Sequence, residues 1–207
     1  GGFMLVSALI SMWVMNTSTT LMLLPICLAI CINIKEALPG ISIKQTKNFE
    51  IALLLGIAYA ASIGGMSSLI GTAPNIVFAG FMQENFNIDI SFLDWIKIAL
   101  PIGLMMLIAA YLLLTKVLYP SSFQINTAAK DKIKLALKKL GAVSRDEKKV
   151  FIIFLMAACL WIGRPYLKYH EILLGLTDAV IAILAAILLF ILPSDNKKSN
   201  LLEWDET

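Results

Sequence analysis

From Gly1 to Ile34 the chain carries no charged residue, yet the middle of that stretch is polar: Asn16-Thr17-Ser18-Thr19-Thr20, with Ser11 a little upstream. Apolar runs of helical character flank this island on both sides. Two full membrane crossings would need about 40 apolar residues, and the whole stretch has only 34 residues. A segment that enters the bilayer, turns at the island and leaves by the same face fits that length. The expectation is a re-entrant hairpin over 1–34 with its tip at 15–18.

A second stretch, 49–83, holds one charge, Glu50, at its edge. As one continuous helix it would reach roughly 50 Å, whereas the hydrocarbon core is about 30 Å thick. Its centre reads Ser62-Ile63-Gly64-Gly65-Met66-Ser67-Ser68 and then Gly71-Thr72-Ala73-Pro74-Asn75. Glycines and a proline at that density mark a broken transmembrane helix. Three further apolar segments, 92–118, 147–163 and 173–192, read as transmembrane helices, the last stopped by Pro193. The expected fold class is therefore all-α: a polytopic membrane protein with a re-entrant helical hairpin and a discontinuous transmembrane helix. Composition agrees, with 59% apolar and 15% charged residues, against about 45–50% and about 25% in soluble domains.

Loop charge sets an orientation, because lysine and arginine favour the cytoplasmic side. With 49–83 crossing once, one side collects 14 basic residues and the other only Lys97, Arg164 and Lys168. The basic loops are expected in the cytoplasm, with the protein multi-pass in the inner (plasma) membrane. Within one of these loops, 126–140 alternates lysines with Ile133, Leu135, Leu137 and Leu140, the pattern of an amphipathic helix on the inner leaflet. Neighbouring spans make nucleic acid a poor partner for it. Cys27, Cys31 and Cys159 lie in apolar runs with no disulfide or metal spacing, and His170 sits in a polar linker. No nucleophile–base pair, metal cluster or paired acid appears in the membrane region, which argues against an enzyme. Both ends of the chain look like mid-phrase positions, so it reads as a piece of a longer protein.

Non-helical backbone at membrane depth is tolerated where protein or a water-filled cavity satisfies it. Two such interruptions imply a shared cavity, as in transporters where half-helix ends face ions and substrate. Ser11, Asn16, Thr17, Ser18, Thr72 and Asn75 offer neutral oxygens, the ligand type a hard cation prefers. No lysine or arginine lies in either break, so an anion there would depend on dipoles, neutral donors and a co-bound cation. Ser, Thr and Gly also serve plain helix–helix contact, and a structural module that binds no solute is the rival reading. Asp178 admits two readings: a functional membrane acid, or an acid favoured in the first turn of its helix.

The phrase Ser11-Met12-Trp13-Val14-Met15-Asn16-Thr17-Ser18-Thr19-Thr20, followed by Met22-Leu23-Leu24-Pro25, resembles the Ser-Asn-Thr hairpin tip of the divalent anion/sodium symporters (DASS), which include di- and tricarboxylate transporters. Gly56 to Gly65, running on to Gly71-Thr72-Ala73-Pro74-Asn75, resembles their unwound fifth helix, and Leu176-Thr177-Asp178-Ala179 is similar but less specific. The resemblance covers essentially the whole chain. It implies two inverted repeats, of which this chain carries half, a homodimer, and elevator-type alternating access. It implies sodium as coupling ion and no other cofactor. By position, Ser11, Asn16 and Gly71 would line the sodium site, and Asn16, Thr17 and Thr72 would face the carboxylate substrate. Two departures stand out: Met15 replaces the motif serine, and Ala73 replaces the first proline of a Pro-Pro-Asn loop. The implied activity is sodium-coupled symport of succinate-like anions, with malate, fumarate, citrate or sulfate also open. A sodium-independent exchanger is the related alternative.

Overall fold

The computed structural model describes residues 1–37, 42–120, 144–169, 176–195 and 200–202. Among these there are seven α-helices and no strand, only an isolated bridge between Pro193 and Asn200. They are α1 (Gly2–Ser11), α2 (Asn16–Ala37), α3 (Ile43–Ser67), α4 (Ala73–Phe86), α5 (Phe92–Leu112, continued by a π-helical turn over Leu113–Leu118), α6 (Arg145–Tyr169) and α7 (Asp178–Ile191). The chain divides into two compact units, residues 1–90 with 94–139, and residues 91–93 with 140–207. The basic loop segment 126–140 and His170 lie outside the described residues.

In the first unit α1 and α2 flank α3. Small residues recur every fourth position along α3 and just past its end, at Gly56, Ala60, Gly64 and Ser68, and this stripe lets α1 approach closely. Met4 lies against Gly56, and Ala8 against Gly64 so tightly that a Cβ there would overlap the Ala8 carbonyl. Ser7 Oγ donates to Ile57 O at 2.9 Å across the same contact. These pairings run α1 parallel to α3. Helix α2 runs antiparallel, with Asn16 against Gly65, Leu23 and Cys27 against Ile57, and Lys35 paired with Glu50. Leu107 and Leu114, beyond α5's midpoint, join Met4, Ala8, Ala60 and Ile63 in a core cluster.

Helices α3 and Phe92–Leu118 are long and apolar enough to cross a membrane. Large apolar side chains on α5 face outward, among them Ile98, Ile102, Met105 and Ile108. An exposed apolar row of that kind marks a surface for lipid or for another protein. Helix α4 ends where Asn87 takes the left-handed conformation, φ 55°. Its N–H bonds Gln83 O, the single bond of a left-handed helix stop, and the Ile88 N–H bonds Met82 O.

In the second unit α6 and α7 lie antiparallel, tied at both ends. Arg164 Nη1 meets Asp178 Oδ2 at 2.8 Å near one end. At the other, Asp146 accepts from Ser194 Oγ at 2.7 Å and from the Asp195 N–H. Phe92 and Trp161 stack with ring centroids 5.6 Å apart.

Candidate functional site

The two interruptions are short. Residues 12–15 separate α1 from α2, and residues 68–72 separate α3 from α4. Asn16 and Thr17 thus stand in the first turn of α2 rather than inside the gap. Residues of their type favour helix starts because their side chains compete for local backbone groups. Gly64 and Gly65 are helical, so the glycine pair does not unwind α3. The helix stops three residues later, where Ser68 is extended at φ −127°, ψ 156°. Pro74 then occupies the second position of α4, where no N–H is needed.

Every helix end leaves backbone groups without intrahelical partners, and here four ends meet. The Ser68 hydroxyl reaches Met12 O and accepts from the Gly71 N–H at 3.0 Å. Asn75 Nδ2 donates to Gly65 O at 3.1 Å and to Ser68 O at 2.8 Å, spending both amide hydrogens on the break. Trp95 Nε1 donates to Met66 O at 3.0 Å. Across the first gap, Ser11 Oγ donates to Asn16 Oδ1 at 2.7 Å. The same Asn16 side chain lies on Gly65, where a Cβ would overlap Oδ1. The Gly65 and Ser11 carbonyl oxygens lie 2.6 and 2.8 Å from where a Cβ on Gly71 would be.

Ser11, Asn16 and Gly71 are therefore brought together, with Gly65, Ser68 and Asn75 as further members. Ser11 and Ser68 are fully buried. Thr17 is exposed in the first turn of α2. Thr72 is half-buried at the N-cap of α4 in extended conformation, and its hydroxyl makes no capping bond. The hydrogen bonds described do not link Thr17 or Thr72 to the Ser11–Asn16 cluster.

The electrostatics divide in two. The C-termini of α1 and α3 present carbonyls, which favour a cation, and the N-termini of α2 and α4 present N–H groups, which favour an anion. No lysine, arginine or carboxylate lies in residues 1–34 or 51–83 to dominate these dipoles. The oxygen set of Ser11 O, Gly65 O and Asn16 Oδ1 fits a small hard cation. Asn75, whose side chain also carries an oxygen, donates from Nδ2 to both sides of the break.

Asp178 lies in the second unit. Thr177 is the N-cap there, its hydroxyl accepting from the Val180 N–H at 3.2 Å. Asp178 stands in the first turn of α7 and pairs with Arg164. Trp161 Nε1 adds a bond to Asp178 O at 3.1 Å.

An all-helical membrane protein whose broken helices bring opposite helix ends together has the architecture of a secondary-transporter core. The family model described as the sodium:sulfate symporter transmembrane region matches residues 2–207. The chain belongs to that family, the divalent anion/sodium symporters, which is a family of transporters. It is 34% identical over 208 residues to the sodium-dependent dicarboxylate transporter SdcS of Staphylococcus saprophyticus. It is 37% identical over 211 residues to the protein of the same name from Staphylococcus aureus strain USA300. Each match covers 99% of this chain and 40% of the relative, so the chain spans less than half the length of these relatives.

Proposed function

We propose that this chain supplies one half of the binding site of a sodium-coupled dicarboxylate symporter. The observation that carries the reading is the junction of the two interruptions through Ser11, Asn16, Gly65 and Gly71. Sodium, as cargo, sits among the carbonyl ends of α1 and α3 and the Asn16 amide oxygen. The substrate carboxylate lies at the N-termini of α2 and α4, where Asn16, Thr17 and Thr72 offer neutral donors. A cation held beside the anion offsets its charge where no lysine or arginine does. The names of the relatives, sodium-dependent dicarboxylate transporters, support the choice of ion and substrate class.

The whole protein works in this reading as a homodimer in the inner membrane. Its basic loops are cytoplasmic. Transport proceeds by elevator-type alternating access. The test is succinate uptake by the full-length protein in proteoliposomes, with and without an inward sodium gradient. Uptake that rises with the gradient supports symport, and uptake indifferent to sodium removes it. One observation favours a second reading, sodium-independent exchange: Met15, at the motif serine position, has no side-chain oxygen and is 67% exposed. Succinate counterflow that persists without sodium would select the exchanger.

A further inference from the structure

Thr19 is fully buried, and its Oγ1 has no hydrogen-bond partner among the described residues. Several other helical hydroxyls return a bond to the carbonyl one turn back, as Thr20 does to Asn16 O, Ser67 to Ile63 O and Thr115 to Tyr111 O, and Ser7 and Ser11 find partners outside their own turn. The corresponding carbonyl for Thr19 is Met15 O, which accepts the Thr19 N–H at 3.0 Å but not its hydroxyl. A buried hydroxyl left without a partner is destabilising. Nothing about local helix formation requires one here, since valine or alanine would fill the position without a polar group.

The placement of Thr19 gives the hydroxyl a use. Residues three apart are neighbours on one helix face, so Thr19 shares a face with Asn16. Asn16 lies on Gly65, and Leu23, one turn beyond Thr19, packs against Ile57. Thr19 is thus held between them on the side of α2 that faces α3, one turn from the Ser11–Asn16 hydrogen bond. On the other side of Asn16, Met15 brings no side-chain oxygen. A water can accept from a hydroxyl and still direct a lone pair at a metal ion, and buried waters bridge polar groups in this way.

We infer that the Thr19 hydroxyl is a positioning group of the cation site, holding a water that completes the shell of the ion bound at Ser11, Asn16, Gly65 and Gly71. The inference rests on the sodium reading above. It makes Thr19 a determinant of sodium affinity supplied from the α2 side of the cluster.

The test is a sodium titration of thermal unfolding on the full-length protein without substrate, with potassium as the ionic-strength control. Thr19→Val keeps the shape and removes the hydroxyl, while Thr19→Ser keeps the hydroxyl. The expected result is a roughly five-fold rise in half-saturating sodium for Thr19→Val, the scale of one lost hydrogen bond, with Thr19→Ser close to the parent. Thr19→Ala gives the same reading should the valine not be accommodated. An unchanged sodium titration in Thr19→Val or Thr19→Ala overturns the inference and leaves the sodium reading intact, whatever happens to the melting temperature. A parent protein that sodium stabilises no more than potassium overturns both.

Discussion

A Cβ on Gly65 would overlap Asn16 Oδ1, whereas nothing lies within 4 Å of one on Gly80. Both glycines are helical, so local propensity treats them alike and only their surroundings separate them. Gly80→Ala removes a helix-weakening residue in open space and should stabilise the protein by up to about 1 kcal/mol. Gly65→Ala forces the Asn16 side chain off its seat, at a cost of about 1–3 kcal/mol for overpacking. Because Asn16 is the acceptor for Ser11, that displacement should also weaken sodium binding roughly ten-fold, the equivalent of about 1.4 kcal/mol. Thermal unfolding of the two variants, with and without sodium, checks both statements. Equal sodium stabilisation in Gly65→Ala and the parent would separate Gly65 from the site.

At the scale of elements, one side chain bridges the break between α3 and α4 twice. Asn75 Nδ2 bridges Gly65 O and Ser68 O, and Asn75→Asp exchanges that double donor for a carboxylate facing two carbonyls. Each buried group left unsatisfied costs about 1–3 kcal/mol. Asn75→Asp should therefore destabilise the full-length protein by at least about 2 kcal/mol, read by denaturant or thermal unfolding. A much smaller loss would mean that the break is held elsewhere. That role was hard to see in the sequence. The excess length of 49–83 and its glycine and proline content announce an interruption, and the polar island in 1–34 announces another. Ser11, Asn16 and Gly71 could be chosen as a cluster only through the resemblance. What spacing did not convey is which groups close each gap, because backbone carbonyls leave no trace in residue type. The glycine pair is the clearest case. Gly64 and Gly65 look like helix breakers, yet they remain in α3 and act by admitting Ala8 and Asn16. The four-residue rhythm of Gly56, Ala60, Gly64 and Ser68 was the available signal for that contact. Thr17 and Thr72 came forward as substrate-facing only through the resemblance, and nothing in their type fixes how far each lies from the Ser11–Asn16 bond.

At the scale of the whole molecule, the second unit is an antiparallel helix pair whose two polar ties differ in kind. Arg164 and Asp178 are largely buried, and removing one partner of such a pair costs about 3–5 kcal/mol. Arg164→Leu should therefore loosen α6 from α7 far more than any change at the opposite tie, and thermal unfolding of the full-length protein measures it. The opposite tie responds to pH. The Ser194 hydroxyl, then the Asp195 N–H, and after them Lys149, hold the Asp146 carboxyl below its ordinary value of 3.8. A carboxyl lowered on folding contributes stability that is complete above its unfolded pKa and is lost as pH falls through the lower folded one. The tie should thus stay intact from neutral pH down to about 4 and open only under stronger acid. Amide exchange at Asp195, whose N–H bonds Asp146 at 3.0 Å, follows it directly. Protection should persist at pH 5 in the parent and disappear in Asp146→Ala at every pH. Parent and variant should converge only well below pH 4, where the carboxyl is protonated in both folded and unfolded chains. Loss of protection in the parent already at pH 5 would show that the carboxylate is not what closes this end of the α6–α7 pair.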